Sequence, residues 1–273
     1  MFYRQTPFVS SGTIDAMVDR RASGGLGPRD RWVAQIAALD GVREAARARK
    51  APITVDRIVE IALRLVEAEG FDALTMRRVA AALDTGPASL YAHVRSKSEL
   101  DDLLIGALCA RVTLPVPDAA TWRVQFLDVC RQLRDQYLRY PGISRAALAA
   151  VPNSLDTLRI SEAMLAILLA GGVPPQPAAW AIDAAFLYVT AYSFEASLRG
   201  GPAERGDGGT AGGAELVERL RMLPPTRFPN TVAYAEELTS GGGHERFDFT
   251  LELLLRGLTP GASQADGFRA IGG

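Results

Sequence analysis

The stretch from Thr54 to Leu108 is punctuated so often that it is confined to short helices with tight joins. Thr54 can cap a helix whose apolar positions, Ile58, Ile61, Ala62, Leu65 and Val66, share one face. Gly70 stops it. A short helix over 75–83 follows, burying Val79, Ala80 and Leu83. Asp84, Thr85 and Gly86 form a turn, and Pro87 suits the first position of a third helix running to about Val94. Ser96-Lys97-Ser98-Glu99 reads as a capping box for a fourth, which carries Leu100, Leu103, Leu104, Ala107 and Leu108.

Two short helices joined by a tight turn and braced by a longer one form a helix-turn-helix. Reading DNA this way needs a short helix whose outer face can enter the major groove. Leu90 and Val94 can anchor the third helix inward, which leaves Pro87, Ala88, Ser89, Tyr91 and Ala92 outward. Small side chains let the backbone approach the groove, and hydroxyls can bond phosphates or bases. The local charge has the right sign. From Arg43 to Lys97 there are ten basic and seven acidic residues, net +3, leaving −4 for the rest of a chain with 30 basic and 31 acidic residues. That balance excludes a generally basic polyanion binder but not a basic patch.

The run Gly70-Phe71-Asp72-Ala73-Leu74-Thr75-Met76-Arg77-Arg78-Val79-Ala80, followed by Leu90-Tyr91-Ala92-His93-Val94-Arg95-Ser96-Lys97-Ser98-Glu99-Leu100, resembles the DNA-binding domain of the tetracycline-repressor (TetR) family. The resemblance implies that Thr75 caps the second helix and bonds phosphate, and that Arg77 reaches a base edge, where an Arg can grip guanine. It implies phosphate contacts for Tyr91 and Lys97, with His93 close to the DNA backbone. Tyr91 also reads as a cover for the small core, and of the neighbours Arg77 and Arg78 one reads as a solvated charge. One position departs from the pattern. Asp84 stands where the family commonly has Gly, and Asp adopts a left-handed backbone less readily than Gly, though better than most residues.

At 273 residues the chain has room for about two domains. The expected class is all-α: an N-terminal three-helix helix-turn-helix domain over 51–114, joined to a larger helical ligand-binding and dimerisation domain over 115–260. Residues 1–50 read as a flexible basic arm, with a helix over 29–49 through Trp32, Ile36, Leu39 and Val42. Arg49 and Lys50 at its end are either DNA contacts or a solvated helix end. Further helices are expected over 118–139, 144–150, 154–170, 177–199, 230–239 and 245–258. The glycine-rich stretch 200–213 reads as a disordered loop and 261–273 as a disordered tail.

In the larger domain Trp122, Phe126, Tyr137, Met164, Phe186 and Tyr188 fall at helical spacings. They are either core or the wall of a pocket for a largely apolar small molecule. Arg145 and Asp183 complete the candidate ligand set, and with Glu195 they are expected to be buried. A carboxylate on a helix as apolar as 177–199 must find a partner or a cavity. That helix reads as buried in protein rather than in a membrane, because Asp183 sits centrally. In 245–258, Phe247, Leu251, Leu254, Leu255 and Leu258 form one stripe, and Phe249 and Leu253 a second. This helix and 177–199 are expected to pack against symmetry mates in an isologous homodimer, which suits a palindromic double-stranded DNA operator.

Two cysteines and two histidines leave no disulfide scaffold and no histidine-rich metal centre. Cys109 and Cys130 read as inert thiols. No nucleophile elbow, phosphate loop or paired-histidine zinc motif is present, so neither catalysis nor a cofactor is expected. The polar start of the chain gives no targeting segment, and cytoplasm is the expected compartment. The leading reading is a repressor released from its operator by a small molecule. The alternative is a helical small-molecule-binding protein or enzyme with a vestigial helix-turn-helix. A shift of DNA from its own promoter region separates the two.

Overall fold

The computed structural model describes residues 32–33, 52–149, 154–198, 211–241 and 244–258, and over these the chain is helical with no strand. The expectations for the arm lie outside the described residues except at Trp32 and Val33, which are helical. Those for 261–273 and for most of 200–213 also lie outside.

Helix α1 (Val55–Glu69) begins where Thr54 accepts a hydrogen bond on its hydroxyl from the Arg57 amide at 3.2 Å. It ends at Gly70, whose φ of 83° is left-handed. Its buried stripe is Ile58, Val59, Ala62, Leu63 and Val66. Ile61 and Leu65, expected inside, are half-buried flanks, because α1 packs between α2 and α4 and the buried face is turned toward both. After a 3₁₀ turn (Phe71–Ala73), α2 (Met76–Ala82) is capped by Thr75, which accepts from the Arg78 amide at 3.2 Å. Asp84 holds the turn at a φ of 52°. Helix α3 (Pro87–Tyr91) is shorter than expected, but Leu90 and Val94 are both fully buried.

Helix α4 (Lys97–Ala110) starts at Ser96, which accepts from the Glu99 amide. The expected reciprocal bond is displaced by one residue: the Glu99 carboxylate accepts from the Arg95 amide rather than from that of Ser96. This helix belongs to both halves of the molecule. It packs on α1 and also on α5 (Trp122–Arg139), α6 (Ser144–Ala149) and α7 (Leu155–Ala170). Helix α5 starts four residues later than expected because the Asp118 carboxylate accepts from the Ala120 amide and the Thr121 hydroxyl, a local turn that competes with helix.

Helices α5 to α7 pack with α8 (Pro175–Leu198) as the larger bundle. Helix α9 (Ala211–Arg221) was not expected, since its first residues continue the glycine-rich run. An Arg219–Glu215 pair one turn apart and an Arg221–Glu236 pair support it. The expected helix 230–239 is two, α10 (Pro229–Ala233) and α11 (Ala235–Thr239), broken at Tyr234, whose φ of −114° is not helical. Helix α12 (Glu245–Arg256) closes the bundle against α5 and α8.

The DNA-facing half meets the bundle again at the α5–α6 corner. There the Phe71 amide donates to the Pro141 carbonyl at 2.9 Å, Arg139 pairs with Glu67 at 3.0 Å and Arg145 pairs with Asp72.

Candidate DNA-binding surface and effector cavity

Helix α3 presents Pro87, Ala88, Ser89, Tyr91 and Ala92 to solvent while Leu90 pins it from behind. Tyr91 is 48% exposed and so covers little of the core. The adjacent arginines divide the two roles open to them. Arg78 pairs with Glu69 and donates to the Ala73 carbonyl at 3.3 Å, which ties α2 to the end of α1. Arg77 is exposed, with no side-chain partner among the described residues, and is free to reach outward. The Thr75 hydroxyl is exposed as well as capping. His93, just past the end of α3, is half-buried.

Lys97 is engaged within the chain. Its ammonium pairs with Asp101 and lies 4.1 Å from the centre of the Phe71 ring. Arg95, exposed just past α3, extends the face, and the local basic excess is the signal that points to it. Arg49 and Lys50 lie outside the described residues.

A cavity of about 360 Å³ lies between α4, α5, α6, α7 and α8, open to solvent where Leu148, Asp183 and Leu187 are exposed. Of the expected ligand residues it gathers three, Tyr137, Asp183 and Phe186. Burial pushes the Tyr137 hydroxyl well above its ordinary pKa. The rest of the set is elsewhere. Trp122, Phe126 and Met164 are buried in the bundle core, with the Trp122 ring over Gly171. Tyr188 stacks on Phe247, centroids 5.6 Å apart, and its hydroxyl donates to the Arg246 carbonyl. Arg145 is exposed at the interdomain corner, 5.7 Å from the Phe71 ring centre.

The expectation that Arg145, Asp183 and Glu195 are buried does not hold. Asp183 is exposed, because α8 turns an apolar face outward as well as inward, and Glu195 is half-buried and paired with Arg246. Among the described residues the buried charge is Arg134, 6% exposed, beside Asp135 and against the Phe247 ring.

The cavity's hydrogen-bonding rim was missed at the level of sequence. Ser154, Thr157 and Ser161 supply it from α7 and its cap, and Thr190 from α8. Asp102, Ile105 and Cys109 repeat along one face of α4 at helical spacing, a signal legible once that face is known to look inward. Burial pushes the Asp102 carboxyl above the usual carboxylate range, with Asp101 and Glu99 adding repulsion. It pushes the Cys109 thiol up to about 11 and that of Cys130 up to about 12, which keeps both protonated. Among the described residues no group of three His, Cys, Asp or Glu side chains can hold a metal, and no helix is long and apolar enough to cross a membrane.

Two family models match the chain. Residues 58–101 match the bacterial regulatory proteins of the tetR family, and 114–260 match the tetracyclin repressor-like C-terminal domain. The chain belongs to the TetR family. It is a ligand-responsive, DNA-binding transcriptional repressor. It is 32% identical over 232 residues to the HTH-type transcriptional repressor DrrR1 of Streptomyces coeruleorubidus, covering 80% of this chain and 82% of that one. It is also similar to the Streptomyces coelicolor TetR-family protein ActR. The structure of ActR in complex with actinorhodin superposes with a TM-score of 0.71 at 39% identity, over 79% of this chain and 99% of that one. A structure of ActR in complex with (S)-DNPA gives a TM-score of 0.70 at 38% identity, over 78% and 100%.

Proposed function

We propose that this TetR-family chain acts as a cytoplasmic homodimer that sits on a palindromic operator and leaves it when a small, largely apolar molecule fills the cavity. The observation that carries the reading is the double allegiance of α4. One helix supplies Asp102, Ile105 and Cys109 to the cavity wall and also packs on α1 of the DNA-binding half. A ligand that favours one placement of α4 therefore biases the spacing of two recognition helices, which must lie about 34 Å apart to enter successive major grooves. The cavity is at the small end of the ~300–1,000 Å³ range of ligand sites. Ile105, Ile182, Phe186 and Leu187 favour an apolar body, and the hydroxyls of Ser154, Thr157, Ser161 and Thr190 favour a ligand with hydrogen-bonding edges.

Dimerisation is supported by the outer faces of α8 and α12. Trp180 on the first, with Phe249 and Leu253 on the second, are each more than half exposed on helices that pack side by side. Phe247, Leu251 and Leu255 meanwhile bury the inner face of α12 within its own chain. In the DNA contact, Arg77 reads a base edge from α2, while Thr75, Ser89 and Tyr91 hold phosphates.

The test begins with selection of bound DNA from a random library. Actinorhodin, found with the similar ActR, is then titrated into the protein–DNA complex. The expected results are a selected sequence with two-fold symmetry and release of the DNA by the ligand. Selection of no preferred sequence would overturn the reading. Release that persists after the cavity is filled by Thr157→Trp would overturn the assignment of the cavity.

A further inference from the structure

The cavity of the bundle is one-sided in its charge. Asp102 on α4 and Asp183 on α8 line it, and among the described residues no arginine, lysine or histidine does. Neither carboxylate has an ion-pair partner among the described residues. The bases of the neighbouring elements are committed elsewhere. Arg159 of α7 donates to the carbonyls of Cys109, Ala110 and Val112, and Arg111 to the Tyr140 hydroxyl. Arg145 of α6 pairs with Asp72. Asp102 therefore carries its charge half-buried, with Asp101 and Glu99 repelling it and no cation in compensation.

The hydrogen bonds point the same way. Ser161 donates its O–H to the Thr157 carbonyl at 3.3 Å, and Thr190 donates its own to the Phe186 carbonyl at 2.7 Å. The Ser154 and Thr157 hydroxyls lie 2.6 Å apart and spend one hydrogen on each other. The Tyr137 hydroxyl is hydrogen-bonded to Thr190. What remains for a guest is mostly lone pairs: the cavity is rich in acceptors and poor in donors.

We propose that the effector carries a basic amine, its ammonium held by Asp102 and its apolar body against Ile105, Ile182 and Phe186. This rests on the reading of the cavity as the effector site. An ammonium has donors and no acceptor, the complement of this lining. A carboxylate guest would meet two like charges and no base. Asp183, exposed at the mouth, attracts the ammonium on its approach, and dissolved salt screens that attraction more than it screens Asp102. The grip also falls on the helix shared by the two halves. Asp102 stands on α4, which packs on α1, so recognition of the charge and release of DNA act through one element.

Calorimetric titration of the full-length protein with naphthylethylamine, naphthylethanol and naphthylacetate tests this, because the three share a ring and differ in charge. The amine should bind best and the acid worst, with the amine at least about tenfold tighter than the alcohol, the size of a charge-assisted hydrogen bond. Asp102→Asn should remove that advantage and leave the alcohol's affinity unchanged, which a merely structural role for Asp102 would not do. An alcohol or acid that binds as tightly as the amine, or an amine advantage that survives Asp102→Asn, would overturn the proposal and leave the cavity as the effector site. Amine binding that persists in Thr157→Trp would place the amine elsewhere and overturn it as well. Failure of all three compounds to bind at millimolar concentration would overturn the reading of the cavity itself, and the proposal with it.

Discussion

Gly171, the C-cap of α7, is a position where two effects of known size oppose each other. Its φ of −73° is open to any L-residue, so Gly171→Ala should by itself stabilise the protein by about 0.4–1 kcal/mol through the unfolded chain. Space decides otherwise. A Cβ built there falls 2.5 Å from the Cγ and Cδ2 atoms of Trp122, where carbon atoms want about 3.5–4.0 Å. The indole is 3% exposed at the start of α5, so it must retreat by about 1 Å into a packed interior. Overpacking of this kind costs about 1–3 kcal/mol, which leaves a net loss of about 1–2 kcal/mol. For a chain of this size that is a fall of about 3–6 °C in melting temperature, with operator binding at 25 °C unchanged. Trp122→Phe should make the space back, so the double variant should be more stable than the two single effects predict. The assay is thermal and urea unfolding of the four proteins. A Gly171→Ala protein more stable than the wild type would refute the packing of Trp122 on α7.

Arg77→Ala should relax preference at one operator position, at a cost of about 1–3 kcal/mol. Tyr91→Phe, at a phosphate contact, should weaken all sequences alike; equal sequence-blind losses for both variants would reject base reading by Arg77. Leu253→Glu should place like charges at the symmetric contact, giving monomers by sedimentation and no operator binding, and a wild type that sediments as a monomer at micromolar concentration would remove the basis for the palindrome. Burial, aided by Arg134 and opposed by Asp135 and Asp248, holds His244 below its ordinary value of 6.5, and its Nδ1 lies 3.0 Å from the Tyr192 hydroxyl. The unfolded chain therefore takes up the proton first, so this contribution is complete above pH 6.5 and is lost as the pH falls through the folded value. Melting temperatures across pH 7.5 to 5 should show that loss, and His244→Gln should flatten it.

What was legible in the sequence was what neighbouring residues decide among themselves. Thr54, Thr75 and Ser96 cap the helices they were expected to cap, Gly70 and Asp84 take the left-handed turns, and Leu90 and Val94 hold α3 from behind. What was not legible depends on which faces of distant helices meet. Trp122 and Tyr188 are aromatic at helical spacing and yet look away from the cavity, while Ser154, Thr157 and Ser161 look unremarkable in sequence and line it. Asp183 misled for a related reason. A helix apolar on every side suggests a buried carboxylate, but on α8 one of those sides is exposed in the single chain. Lys97 was legible as a basic residue next to the recognition helix, but not as the partner of Asp101 and Phe71, which fold back onto it.

The corner where Phe71 meets Pro141 bears on how stiffly the DNA-reading half is aimed. Beside the shared α4 and the contact of Arg145 with the Phe71 ring, the connections there include one backbone hydrogen bond and the Arg139–Glu67 and Arg145–Asp72 pairs, whose side chains are between 43% and 81% exposed. Exposed ion pairs are soft springs: they hold weakly, they stretch without a sharp threshold, and dissolved ions weaken them further. A reading head mounted on such springs tolerates small errors in the distance between two half-sites at little energetic cost. It grows more compliant as ionic strength rises, so the penalty for an operator lengthened or shortened by one base pair should shrink in high salt.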